Sequence, residues 1–299
     1  MAGTEKVADP ARSGSLASTS KVAESVNVAE RRKAFHRLHE SGCFVIPNPW
    51  DVGSALYLQG LGFKALATTS SGFAWSRGRA DNAISRDMAL AHLHEMVDAL
   101  DVPLNADFES GFGADAAGVE ESVRLALETG IAGLSIEDTT GNPAAPLFSI
   151  DDATERLRAA RRAIDKAGGG VLLVGRADGI FAGQPDLDAA IARLKAYANV
   201  GADCLYAPGL RTREEIGRVV DAVSPRPVNV LVGGPSDLRV ADLAALGVRR
   251  ISVGGGMARA AWGGFMRAAT ALLEQGSFEG FAGAAPGAQL NKFFEGDAA

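Results

Sequence analysis

Eight short apolar runs, separated by longer stretches of helical periodicity, constrain this chain more than any other feature. The runs fall at 43–46, 64–69, 102–106, 133–136, 171–175, 203–206, 227–232 and 250–253. Between them, apolar residues return at helical spacing. Leu187, Ile191, Leu194 and Ala198 keep to one face, as do Ile150, Ala153, Leu157 and Ile164, and Ala116, Val119, Val123 and Leu127. Seven helical segments lie between the runs and an eighth follows the last. Thr212 with Glu215 forms a capping box, and Ser236 after Pro235 marks another helix start. Pro103 and Pro227 stand at the first positions of their runs, where a missing N–H costs a strand least. Strands joined by helical crossovers pair in parallel, so eight such units predict a (β/α)8 barrel. The rival is an open doubly wound sheet. A GxGxxG turn after the first strand would favour it, and residues 46–50 contain none.

The bulk properties fit one such barrel. A length of 299 residues is within its range, and a hydrophobic fraction of 47% supplies a large core. A net charge of −6 without a basic block argues against a nucleic-acid partner. No apolar run is long enough to cross a membrane. Cys43 and Cys204 make no disulfide framework, which fits a reducing, cytoplasmic setting. Residues 1–28 are rich in Ala, Ser and Glu and lack a signal-peptide core, and Glu5, Asp9 and Glu24 disfavour a transit peptide. We expect a disordered tail at 1–28 and a barrel domain at 29–299, with an N-terminal helix and a C-terminal helical extension.

Charged residues collect where the runs end. Asp107 and Glu109 close the third, Glu137 and Asp138 the fourth, and Arg176 the fifth. Side chains alternate along a strand. Asn105, Asp107 and Glu109 therefore share one face, opposite Leu104, Ala106 and Phe108, while Ser135 and Glu137 share parity in the next run. In a parallel barrel this rim is where chemistry resides. A single strand-end carboxylate is more often a helix cap, whereas an inward-facing set on adjacent strands points to a site. Such a set repels itself unless a cation sits among the carboxylates. Oxygen-only ligands suit Mg²⁺ or Mn²⁺, which leaves Arg176 free for an anionic substrate. His36, His39, His92 and His94 fall on helices and read as surface or packing residues. Glycines at 233–234 and 254–256 follow the last two strands. They suit either a phosphate site or close loop packing.

Several segments carry a family resemblance. They are Asn48-Pro-Trp-Asp, Thr69-Ser-Ser-Gly-Phe, Arg79-Ala-Asp-Asn, Asn105-Ala-Asp-Phe-Glu-Ser-Gly-Phe-Gly, Ser135-Ile-Glu-Asp and Gly175-Arg-Ala-Asp. In order and spacing the chain resembles the isocitrate lyase and phosphoenolpyruvate mutase superfamily over residues 32–278. The resemblance implies a (β/α)8 barrel with Mg²⁺ at its mouth. It also implies a homotetramer, a dimer of dimers, that exchanges a C-terminal helix. It implies a metal shell of Asp107, Asn105, Asp81 and Glu137, and catalytic roles for Arg176, Glu137 and Asp81. The substrate would be held by Ser71, Gly72, Phe73, Trp50, Arg176 and Asn229, with Ser71 and Gly72 offering backbone N–H groups.

Two departures shape the functional expectation. The family usually has aspartate where this chain has Asn105, and an amide oxygen binds Mg²⁺ without charge. The lyases carry Lys-Cys-Gly-His on the loop after the fourth strand, whereas residues 139–149 here hold no Cys, His or Lys. Chemistry that survives those losses leans on the metal. The expectation is C–C bond cleavage in a small 2-oxo or 2-hydroxy acid through a metal-stabilised enolate, of oxaloacetate decarboxylase or acyl-pyruvate hydrolase type. The alternatives are a carboxylate-binding member without catalysis and a phosphonopyruvate-type C–P enzyme.

Overall fold

Each apolar run forms a strand. The computed structural model describes residues 19–295 and holds β1 (Phe44–Ile46), β2 (Leu66–Ala67), β3 (Leu104–Asp107), β4 (Gly133–Glu137), β5 (Leu172–Arg176), β6 (Cys204–Tyr206), β7 (Val228–Leu231) and β8 (Arg250–Ser252). The helices are α1 (Thr19–Glu40), α2 (Val52–Gly60), α3 (Ser70–Ser76), α4 (Arg86–Ala99), α5 (Ala116–Glu128), α6 (Ile150–Lys166), α7 (Leu187–Asn199), α8 (Arg213–Val223), α9 (Val240–Ala245), α10 (Gly256–Gln275) and α11 (Gly287–Phe294). All strands pair in parallel in the order β1-β8-β7-β6-β5-β4-β3-β2, which is the expected (β/α)8 barrel. Of the tail expected at 1–28, residues 1–18 lie outside the described part, and α1 already begins at Thr19.

Closure between β1 and β2 rests on little backbone. One bond, Ala67 N–H to the Pro47 carbonyl at 3.1 Å, spans the seam. Asn48 completes it. Its Nδ2 donates to the Thr68 carbonyl at 2.9 Å, and its Oδ1 accepts from the N–H groups of Val253 and Gly254, each at 2.8 Å. One buried amide thus ties β1 to the ends of both neighbours.

The alternation of side chains builds two cores. Outward residues such as Leu104, Ala106, Leu134, Leu173 and Val230 pack against the helices. Inward residues fill the barrel: Ile46, Ala67, Leu172, Val174, Cys204 and Tyr206, with Phe35 of α1 closing the lower end. A Cβ on Gly133 would lie 2.6 Å from Phe35 and 2.8 Å from the Asn105 oxygen, so only glycine fits between that plug and the polar layer above it. Helix α1 is anchored by Arg31, which donates to the carbonyls of Val97 and Leu100, and by Arg32, which donates to those of Leu127 and Ile131.

Local signals mostly land where the sequence puts them. Thr212 and Glu215 form their capping box at α8. Ser236 does not start a helix. Its Oγ accepts from Leu238 N–H in the preceding turn, and α9 begins at Val240. The loop after β2 carries two helices, α3 and α4, where one was expected. His39 and His92 are buried, and His92 stacks on Phe73 with ring centroids 3.9 Å apart. Both cysteines are free, Cys204 buried and Cys43 half-buried.

Candidate active site at the barrel mouth

Asp107 ends β3 and is fixed from the adjacent loop. Its Oδ2 accepts from both the N–H and the Oγ of Ser70, each at 2.9 Å. Its own N–H donates to Thr68 Oγ1 at 2.8 Å. Next to it stands Arg176 at the end of β5. Arg176 grips Asp178 with two parallel bonds of 2.6 and 2.8 Å, and its Nη1 reaches Glu137 at 2.9 Å and Asp107 at 3.4 Å. Its ring neighbour is Tyr206, 5.3 Å from guanidinium carbon to ring centroid. A guanidinium has five N–H donors, and four of them are engaged by these three acids. The sequence reading left Arg176 free for substrate. In the structure it is instead the positive group among the carboxylates.

Glu109 and Asp81 complete the acidic rim. Glu109 has φ +45°, in the left-handed region that a non-glycine residue rarely adopts. This backbone turn lets the Glu109 carbonyl accept from Glu137 N–H at 2.9 Å. Burial, together with the charges of Asp107, Glu137 and Asp81, pushes the Glu109 carboxyl up to about 8. Burial first, then Asp107, raises Asp81 as well. Burial also raises Glu137 and Asp178 against the opposing pull of Arg176. Five acids thus face one guanidinium, and four of them are pushed toward the neutral form. This is the electrostatic signature of a site with too little positive charge.

The expected residues separate into those at the mouth and those below or beside it. A cavity of about 100 Å³ opens there, lined by Ser71, Asp81, Asn105, Asp107 and Arg176 among others. It shares Ser71, Asp81, Phe181, Leu231 and Gly255 with a wider cleft of about 660 Å³ beneath the loops after β6, β7 and β8. Asn105, expected in the metal shell, sits deeper than the acids. It is buried at the cavity floor, where its oxygen accepts from Arg250 at 3.3 Å and its amide donates to the Ala106 carbonyl at 3.0 Å. Asn229, fully buried, bonds Ser252 and Arg250 and does not line the cavity. Phe73 is turned toward His92, and Trp50 packs near Gly72. Gly72 N–H donates to Thr69 Oγ1, the N-cap of α3, at 3.3 Å, and a Cβ at Gly72 would lie 2.7 Å from the Thr69 methyl. The close approach there admits only glycine. Asp138, grouped at first with the rim acids, faces away. It accepts from Tyr197 at 2.5 Å, Arg193 at 3.0 Å and Asp178 N–H at 2.8 Å, and so braces β4 and β5 against α7.

Three residues of the site escaped the sequence assignment. Glu109 was legible from its inward parity beside Asp107. Asp178 stands in the quoted Gly175-Arg-Ala-Asp segment, but its pairing with Arg176 depends on how the loop folds back. Arg250 carried no signal beyond its place in a strand.

A hard divalent cation is the group that the resemblance implies here. The donors fit it in kind, since they are carboxylate oxygens whose mutual repulsion a cation would relieve. Among the described residues no three His, Cys, Asp or Glu side chains already converge as a closed metal site.

Fold and mouth together define a (β/α)8 barrel of the kind that holds its functional groups where the strands end. The sequence model of the family described as phosphoenolpyruvate phosphomutase matches residues 35–273, and the chain belongs to that family, within the isocitrate lyase/phosphoenolpyruvate mutase superfamily. Among curated proteins it is 32% identical to an uncharacterised Mycobacterium tuberculosis protein, over 74% of this chain and 81% of that one. It is 30% identical to oxaloacetate decarboxylase of Paraburkholderia xenovorans over 74% of each chain. Among solved structures, a Burkholderia cenocepacia protein described as a candidate lyase/mutase superposes with a TM-score of 0.87 at 46% identity, covering 90% of this chain and 98% of that one.

Proposed function

We propose that this protein is a divalent-metal-dependent enzyme that cleaves a C–C bond in a small 2-oxo or 2-hydroxy acid, with oxaloacetate the first substrate to try and Mg²⁺ or Mn²⁺ the metal. One observation carries the reading: five acids gathered around one already engaged guanidinium, Arg176, at the mouth of a barrel of this family. The similarity to an oxaloacetate decarboxylase supports the reaction type.

Asp107, Asp81, Glu109 and Glu137 are the residues that would hold the cation. When bound, it offsets the negative charge that grows on the substrate oxygen as the C–C bond breaks. The chain's own residues do the rest. Ser70 orients Asp107 through two hydrogen bonds. Thr139 Oγ1 donates to Glu137 at 2.5 Å, and Arg176 holds Glu137 from the other side. Ser71, on the cavity wall, is the substrate contact we retain from the expected set. The loop after β4 closes with a bridge between Thr139 and Leu147 and offers hydroxyls and an amide, not a thiol or an amine. Decarboxylation tolerates this loop, because solvent water can return a proton to the product carbon.

The test is a screen of 2-oxo and 2-hydroxy acids with Mg²⁺, following pyruvate release. Turnover of oxaloacetate or a related 2-oxo acid supports the proposal. Inactivity against every acid, with ligand binding retained, would replace it with a carboxylate-binding role.

A further inference from the structure

Arg250 enters β8 from inside the barrel, and its surroundings do not balance its charge. The residue is 2% exposed. Its Nε donates to Asn229 Oδ1 at 2.8 Å and its Nη1 to Asn105 Oδ1 at 3.3 Å, both neutral amides. Among the described residues no carboxylate lies within ion-pair distance of it, and its Nη2 donates to no protein atom. Arg156, the other buried arginine, also lacks a carboxylate, but the main-chain carbonyls of Ser110, Gly113 and Ala114 accept from both of its terminal nitrogens. Arg176 faces three acids, and Arg193 is paired with Asp138. A buried charge without a counter-charge is among the most costly arrangements in a protein interior. Burial indeed pulls the Arg250 guanidinium down from its ordinary value.

The uncompensated group is also open on one side. Arg250 lines the floor of the mouth cavity, together with Asn105, Ser252 and Tyr206, while Asp81 and Asp107 line its wall. The cavity therefore carries acids at one place and a lone guanidinium at another. Arg176, by contrast, has four of its N–H groups engaged by three acids.

We propose that Arg250 is an anion-binding group at the floor of this cavity and receives a carboxylate of the bound acid. The choice of ligand rests on the proposed function; the existence of an anion site at Arg250 does not. A planar carboxylate matches the free edge of the guanidinium, which can donate two parallel bonds. Asn229 and Asn105 hold the guanidinium in orientation without neutralising it. This gives their amide side chains a purpose: an aspartate at either position would cancel the charge that the ligand needs. It also sets the substrate class, a small acid with one carboxylate reaching the cavity floor and its reacting carbons near the acidic rim.

The test uses oxalate as the probe, in EDTA, with affinity measured by calorimetry on the whole protein. Wild-type protein is expected to bind oxalate without metal. Arg250→Met should weaken that binding by at least about tenfold, the loss of one charge-assisted contact. Asn105→Asp, which supplies an internal counter-charge and keeps the volume, should weaken it similarly, and it stands in if the Met variant does not fold. Arg250→Lys should retain part of the affinity. No oxalate binding by the wild type, or unchanged affinity in Asn105→Asp or in a folded Arg250→Met protein, would overturn the assignment. Oxalate binding that depends on Arg250, in a protein that turns over no acid, would leave Arg250 in place and sink the proposed function instead.

Discussion

Glu109 shows how a single residue can register the charge state of the whole mouth. Its folded pKa of about 8 lies above the ordinary glutamate value of 4.5. A carboxyl raised in this way favours the folded state fully below pH 4.5 and loses that contribution as the pH rises through about 8. His39 and His92 act in the opposite sense. Their folded values of about 3 and about 4 lie below 6.5, so their contribution is present above 6.5 and is lost on acidification. Between pH 6.5 and about 8 the histidines are largely neutral in both states, and the raised acids of the mouth set most of the slope. Metal-free protein in EDTA should therefore lose stability across that window, and Glu109→Gln should make the loss smaller, as chemical denaturation at several pH values would read. An unchanged slope in the variant would remove Glu109 from the cluster. Parity placed Glu109 and Asp107 on the inner face from sequence alone, but parity carries no depth. Asn105 shares the face of Asp107, yet two residues along a strand are about 6.6 Å apart. That step places Asn105 at the cavity floor and Asp107 at its mouth. The pairing of Arg176 escaped the sequence for a related reason: its three acids come from β3, β4 and its own loop, and their convergence is a property of the closed sheet.

Elements explain why the barrel closes and which reactions its loops permit. The β1–β2 seam relies on Asn48, whose amide makes three hydrogen bonds to main-chain groups of both neighbouring segments. Asn48→Ala should cost about 3 kcal/mol, roughly 1 kcal/mol for each bond lost, measured by denaturant unfolding. A cost near zero would mean that the backbone closes the seam unaided. All eight strands were legible because each is a compact apolar run between helices of clear periodicity. The short helix α3 was not, since its seven residues, Ser70–Ser76, carry no amphipathic repeat. The loop after β4 supplies the sharpest functional expectation at this scale. It lacks the thiol, imidazole and amine of the lyase pattern. Its hydroxyls are far too weak as acids to protonate a succinate-like leaving group quickly. Isocitrate and 2-methylisocitrate should not be cleaved at a useful rate. Efficient glyoxylate release from isocitrate would reveal a proton donor outside this loop.

At the scale of the whole molecule, the C-terminal end leaves much apolar surface uncovered. Helix α10 runs 20 residues from the mouth, yet only Ala258 is buried along it. Phe265 is 63% and Leu273 87% exposed. Helix α11 folds back, setting Phe293 against Tyr57 of α2 with ring centroids 5.0 Å apart. An apolar helix face of this extent fits the homo-oligomer expected from the family resemblance. Light scattering should give a mass of several chains, four in the dimer-of-dimers arrangement. A mass of one 30.9 kDa chain would contradict it. Among the described residues no helix is long and apolar enough to cross a membrane.

The central claim is that the acidic mouth recruits a divalent cation to break a C–C bond. It is tested most directly by following pyruvate formation from oxaloacetate with Mg²⁺ and with EDTA, for the wild-type and Asp107→Ala proteins, with a protein-free Mg²⁺ blank subtracted for the spontaneous metal-driven reaction. The account expects rapid release with Mg²⁺, and no release above background in EDTA or with the variant. Equal release in EDTA, or undiminished release by Asp107→Ala, would contradict it.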